Sequence, residues 1–199
     1  MSISKTELRS LVLDTKEIVI RPLLDEAQIG ELSIDFRLET DFLLSFQGRN
    51  SAIDVSNYEN PDPSSSFFQE TRRLVGSSFL FHPLQTVLCS TLEYVKLPPD
   101  VYMSLTMRSS YSRLGLSISS IVEPGYCGCI SMELTNINNT PVKITVGSRI
   151  IQARFYRIKE NADYFAKPRK YVCQVRPEVS LAVLDSENVT LKKLGTNLF

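Results

Sequence analysis

The sequence has a single histidine, His82, and four cysteines, Cys89, Cys127, Cys129 and Cys173. His82 precedes a proline and reads as a strand end, which leaves no imidazole for a Ser-His-Asp triad. Cys127 and Cys129 are separated by one residue, the wrong spacing for the usual structural zinc pair. Strand alternation puts both thiols on one side, where they pack as small apolar groups. No zinc is expected. No glycine-rich loop of the phosphate-cradling kind is present. Lys+Arg and Asp+Glu both number 22, so net charge is zero. A duplex-binding protein needs a basic face, so nucleic acid is not an expected partner. A small phosphorylated ligand needs only one local cluster of cations and remains allowed. No apolar run is long enough to span a membrane. The charged stretch from Met1 to Pro22 does not resemble a signal peptide. These absences lead to the expectation of a cytoplasmic chain with free thiols. The patterns at Asn138 and Asn188 that match glycosylation acceptors then carry no weight. No internal repeat is visible.

What is present describes one globular domain over residues 1–199. Hydrophobic residues make up 43% of the 199 and charged residues 22%, enough for a proper core. Ser4 can cap a helix, with Glu7 completing a capping box and Ile3 and Leu8 forming a hydrophobic staple. Leu8, Leu11 and Val12 continue the helical period. This is the one convincing long helix.

Beyond it the pattern alternates with period two. Leu32, Ile34, Phe36 and Leu38 interleave with Ser33, Asp35, Arg37 and Glu39. Further strands are expected over 78–82, 86–92, 101–106, 130–135, 142–146 and 149–156. Turn signals separate them at Asn60 to Pro63, Leu97 to Asp100, Pro124-Gly125, Asn136 to Thr140 and Gly147-Ser148. Many short strands at this spacing imply a mainly β fold, either a barrel or a double sheet. Asn50 to Ser66 is polar and Pro/Ser-rich and reads as an exposed excursion. The tail after Lys167 is polar.

Two features could carry chemistry. Met107 to Leu116 places two arginines and three serines within six residues, directly after an apolar strand. Arginine forks and hydroxyls suit phosphate oxygens, and a solvated loop would have the same composition. Glu133 sits among apolar neighbours in Ser131-Met132-Glu133-Leu134. A buried carboxylate there would have a raised pKa suited to proton transfer. Alternatively it lies on a wet strand face shared with Ser131 and Thr135.

Taken together, several segments resemble the dCTP deaminase branch of the dUTPase superfamily. Ile34 to Leu38 is similar to the family's "VDVRLG" strand, with Glu39 replacing the glycine. His82-Pro83, Thr91-Leu92-Glu93 and Leu97-Pro98 resemble its "HPG…TLE…LP" run. Arg108-Ser109-Ser110 and Arg113 to Leu116 match "RSSxARLGL", with Ser112 for alanine. Pro124-Gly125-Tyr126 and Gly128 match "DPGWxG", with Glu123 for aspartate. Glu133 and Asn136 match "LExxN". Gly147, Arg149, Ile150, Gln152 and Phe155 match the last strand. Lys170-Tyr171, Gln174 and Ser180 match the tail pattern "KYxxQxxxxxS".

The resemblance implies a distorted, dUTPase-like β-barrel or double sheet with a short N-terminal helix. It implies metal-free hydrolytic deamination of dCTP to dUTP and ammonia. By carry-over, Glu133 is the general acid/base, and Ser109 and Arg113 help hold the water and the glutamate. Arg108, Ser110, Gln152, Lys170, Tyr171 and Gln174 hold the triphosphate as its magnesium complex, and Glu123 sits near the deoxyribose. Family sites lie between subunits of a homotrimer, with a tail, here about 168–199, closing over the nucleotide. Two departures stand out. The family's hairpin before the proline-glycine turn is about three residues shorter here, at Ser117 to Glu123, and lacks its His-Arg pair. Met107 replaces the usual glycine. These leave open a nucleotide-binding or regulatory relative, a diphosphatase, or a deaminase of a modified dCTP.

Overall fold

The computed structural model describes residues 1–46, 52–55, 67–185 and 187–197. Most of the Pro/Ser-rich stretch at 50–66 lies outside them. Helix α1 (Lys5–Arg9) is shorter than the sequence suggests, because a π turn at Ser10–Asp14 continues it. Ser4 Oγ accepts from Glu7 N at 3.4 Å, but the Glu7 carboxylate turns away to Arg157 at 3.1 Å. One half of the expected capping box is therefore formed. Ile3 and Leu8 are both buried, as a staple requires.

Twelve strands follow among the described residues: β1 (Val19–Arg21), β2 (Ser33–Arg37), β3 (Asp41–Ser45), β4 (Phe68–Arg72), β5 (Ser78–Phe81), β6 (Thr86–Lys96), β7 (Val101–Met107), β8 (Leu116–Ser117), β9 (Ser119–Val122), β10 (Cys127–Asn136), β11 (Val142–Thr145) and β12 (Arg149–Arg157). Helix α2 (Ser109–Ser112) lies between β7 and β8, and α3 (Glu187–Asn197) ends the described chain. A six-stranded sheet runs β4-β3-β6-β10-β8, with β1 also pairing β6; a second runs β2-β12-β7-β9; β5 and β11 form a third. All pairings are antiparallel.

The sheets do not close into a continuous barrel among the described residues. The chain instead passes repeatedly from one sheet to another, most tightly at two places. After β2, Leu38 forms a single bridge to Thr91, and Glu39 N donates to Ser90 O at 3.0 Å. This carries the chain from the β12 sheet to the β6 sheet. Between β8 and β9 only Ile118 intervenes: β8 pairs with β10 and β9 with β7. Strands thus bend between two packed layers, as in other double-sheet folds.

The core lies between the layers. Phe36, Phe42, Phe81 and Phe155 are fully buried. The Phe42 and Phe79 rings stack at 4.0 Å between centroids. Each such side chain contributes about 1.5–3 kcal/mol of transfer free energy. Leu32, expected inside, is exposed because β2 starts one residue later. Glu93 is a buried charged group in this layer. Its carboxylate accepts from Gln28 Nε2 at 2.9 Å and Arg37 N at 2.9 Å. Burial pushes its pKa up to about 6, with the two hydrogen bonds opposing the shift. No helix among the described residues is long and apolar enough to cross a membrane.

Candidate active site

Strand β10 is the floor of the site. A register shift between Cys129 and Ser131 re-aims its second half, so that Glu133 lies directly opposite Leu88 of β6. Glu133 is exposed, on the face it shares with half-buried Ser131 and Thr135. The buried reading of this carboxylate is therefore corrected: alternation along β10 gives the core to Met132 and Leu134.

A cavity of about 610 Å³ opens above this floor. Glu133, Ser131, Glu123, Lys170, Tyr171 and Gln174 all line it. Ser131 Oγ is buried without a hydrogen-bond partner, which leaves one polar group in the wall for a ligand to satisfy. Phe68, Leu88 and Ile121 add apolar surface. An apolar cleft with a few converging polar groups is the usual form of a small-molecule site.

The segment from Tyr164 to Ser180 is the strap that forms one wall. It is seated on the two glycines of the Pro124-Gly125-Tyr126-Cys127-Gly128 run. A Cβ on Gly125 would meet Tyr164 Cβ at 2.9 Å, and one on Gly128 would meet Gln174 O at 2.9 Å. Both glycines have positive φ, +77° and +145°, a region that disfavours side chains. Cys129 N donates to Gln174 O at 2.7 Å. Arg176 pairs with Asp41 of β3 at 3.6 Å.

Arg169 is a site residue that the sequence reading missed. Its Nη1 lies 2.6 Å from Glu123 Oε2, its Nε donates to Tyr164 O at 2.7 Å, and its guanidinium lies 4.1 Å from the Tyr164 ring centroid. Lys170 is paired with Asp185, and Tyr171 Oη accepts from Leu181 N at 2.7 Å.

The other expected residues are not brought to this cavity. Ser109, Ser110 and Arg113 are exposed on and beside α2. Arg108 Nε contacts Asp35 Oδ2 at 3.0 Å, and its Nη1 donates to Arg149 O at 2.9 Å. Gln152 lies opposite both Asp35 and Thr106 in the second sheet. Burial raises the Asp35 carboxyl, while Arg108, Arg149 and Gln152 oppose that shift. One chain therefore carries two polar clusters, with Glu133 and the strap in one and Arg108, Asp35 and Gln152 in the other. Among the described residues, no three His, Cys, Asp or Glu side chains gather as a metal-ligating group.

A family model described as dCTP deaminase-like matches residues 2–158. The chain belongs to the dCTP deaminase-like family. A "dCTP deaminase, dUMP-forming" of Methanobrevibacter smithii is 34% identical over 182 residues, covering 88% of this chain and 92% of the relative. A "dCTP deaminase" of Natronomonas pharaonis is 35% identical over 195 residues, covering 94% of this chain and 97% of the relative. Among solved structures, the 2'-deoxycytidine 5'-triphosphate deaminase of Agrobacterium tumefaciens superposes with a TM-score of 0.58 at 20% identity. That match covers 77% of this chain and 47% of the solved chain, so this chain spans about half the length of that protein. At that identity the likeness speaks for the fold. The β10 motif Glu133…Asn136 lies within the matched family region. Its Asn136 is fully buried and donates to Phe81 O and Thr140 O at 3.1 and 2.9 Å, fixing the end of β10.

Proposed function

We propose that this chain deaminates dCTP by hydrolysis, giving dUTP and ammonia, with Glu133 moving the protons. The observation that carries this reading is the convergence of Glu133 with Lys170, Tyr171 and Gln174 on one cavity, in a chain of this family. Water adds to C4 of the cytosine ring. The Glu133 carboxylate takes one proton from that water and delivers it to N3; it then carries the second, from the new C4 hydroxyl, to the amino group, which leaves as ammonia as the C4 carbonyl forms. A carboxylate suffices for this shuttle, and no metal is assigned to it. Lys170 offers the strap's cation to the phosphates, and Glu123 faces the sugar with one oxygen held by Arg169. Magnesium would arrive on the triphosphate, with the chain holding the phosphates rather than the ion.

Ser109, Arg113, Arg108, Ser110 and Gln152 enter the site only from a second copy. We therefore assign the active form to a homotrimer in which the exposed α2 of one protomer covers the Glu133 cavity of the next. A closed ring of identical heterologous interfaces allows this arrangement. A second reading has a specific basis. Several relatives at 34–36% identity carry the name "dUMP-forming", which would add diphosphate release at the same site.

The test is purified protein with each deoxynucleoside triphosphate, scoring ammonia and pyrophosphate separately. Glu133→Gln keeps the shape and removes the basicity. Turnover should fall by at least about 100-fold, with nucleotide affinity nearly unchanged. A wild type that deaminates dCTP beside an equally fast variant would defeat the mechanism. Pyrophosphate appearing with ammonia would establish the second reading.

A further inference from the structure

Two of the four thiols meet at the strap. Cys127 Sγ, on the first residue of β10, lies 3.2 Å from Cys173 Sγ, although the residues are 46 apart in sequence. The contact is held by the backbone on both sides. Gln174 O accepts from Cys129 N at 2.7 Å, and the Gln174 backbone lies against Gly128, where no Cβ could fit. The two sulfurs are therefore neighbours because the strap is docked. A disulfide needs about 2.05 Å between sulfurs, so an approach of roughly 1.2 Å from this separation makes the bond. Access favours this pair: Cys173 is exposed and Cys127 half-buried, while Cys89 and Cys129 are buried.

We propose that Cys127 and Cys173 form an oxidisable dithiol site, and that its disulfide locks the strap onto β10. The oxidant is a small disulfide of the glutathione class. The Cys173 thiolate, the more exposed, attacks one sulfur of the oxidant and displaces the first small thiolate. The Cys127 thiolate then attacks the mixed disulfide at Cys173 Sγ and displaces the second. Two protons and two electrons pass from the protein to the oxidant, which leaves as two thiols. Lys170, Tyr171 and Gln174 lie within four residues of the bond, so the lock fixes the cavity wall itself. The chemical step does not depend on the proposed function; the effect on turnover rests on that reading.

The experiment uses the full chain, reduced or treated with oxidised glutathione. Oxidation should lower the intact mass by about 2 Da, with no glutathione adduct retained. It should also remove two titratable thiols of the four. Cys127→Ser and Cys173→Ser should each abolish the mass loss while keeping the wild-type circular dichroism. Limited proteolysis within 165–180 should slow by at least about tenfold on oxidation, and recover with a dithiol reductant, as for a closed lid. If the reduced protein deaminates dCTP, oxidation should slow turnover reversibly. If it does not, the functional reading fails, while the mass and proteolysis results still decide the dithiol site. A stable glutathione adduct in place of the internal bond would overturn the proposal. So would an internal disulfide that leaves strap proteolysis unchanged.

Discussion

Replacing Gly128 with alanine tests whether the strap is seated on β10 as described. The new Cβ would stand 2.9 Å from Gln174 O, 2.9 Å from Tyr126 Oη and 3.0 Å from Gln174 N. Two of these atoms are backbone, so no rotamer change relieves the clash. At φ +145° the residue itself is also strained, by about 1–3 kcal/mol. If the strap lifts to make room, the Cys129 N to Gln174 O bond is lost, at about 1 kcal/mol. Together these weaken strap closure by about 2–4 kcal/mol, roughly 30- to 800-fold in the ratio of closed to open. The KM for dCTP should rise at least about tenfold, because only part of the binding free energy runs through the strap. Proteolysis within 165–180 should accelerate in parallel. Gly76→Ala is the control: φ is +86° there, but nothing lies within 4 Å of its Cβ position. It should share the backbone strain and leave KM alone. A Gly128→Ala variant with wild-type KM and wild-type strap cleavage would refute the seating argument.

Other outcomes follow from particular contacts. The folded-state pKa of Glu93 is raised to about 6 from 4.5, so its contribution to stability is full below about pH 4.5 and is lost as pH rises through about 6. Urea unfolding should show a wild-type loss of about 2 kcal/mol across that window, and Glu93→Gln should flatten it; parallel curves for the two proteins would count against the assignment. Thr91 Oγ1 donates to Glu93 O at 2.8 Å and accepts from Ile130 N at 2.9 Å. Thr91→Val should therefore cost about 1–3 kcal/mol by leaving two buried groups unpaired, and an unchanged melting temperature would exclude this. Asp185→Asn frees Lys170 from a partly exposed pair worth about 0.2–1 kcal/mol. Titration calorimetry with dCTP should then show affinity rising by up to about fivefold, whereas weaker binding would mean that Asp185 supports the site.

Strands that bury one face were legible. The alternation in β2, β7 and β12 survives into the burial pattern of each strand. Strands β3 and β4 were not legible, because Asp41 is buried by its arginine partners and β4 is mostly exposed. Helix α2 has four residues, too few for a period to show. Helix α3 has few apolar residues, Val189, Leu191 and Leu194, and their spacing does not trace an extended apolar stripe. The cavity group of Glu123, Glu133, Lys170, Tyr171 and Gln174 could be assembled from sequence only through family resemblance. Nothing in the spacing of 123, 133 and 170 brings them together. Arg169 carried no signal at all, since its role depends on Glu123 standing 2.6 Å away in space. The Cys127 to Cys173 contact is hidden in the same way.

The exposure of Glu133 is the point on which assembly and chemistry meet. A carboxylate open to water on a strand face has no means of excluding bulk solvent from a reacting base. Proton transfer at C4 needs one water held and the others kept out. The strap covers one side of the cavity, but Arg108 is turned to Asp35 and α2 faces outward. The β8–β9 crossing at Ile118 that follows α2 brings Ser120, Ile121 and Val122 to the cavity wall, while α2 itself does not line the cavity among the described residues. The short hairpin that departs from the family pattern is this same crossing. Under the homotrimer proposed above, the shortened crossing leaves the open side of the base to be covered by another copy. In the proposed trimer, α2 would bring hydroxyls and a guanidinium to the open side of Glu133. On that proposal, a chain with this hairpin would depend on its neighbour for a dry site more heavily than one that carries the longer loop.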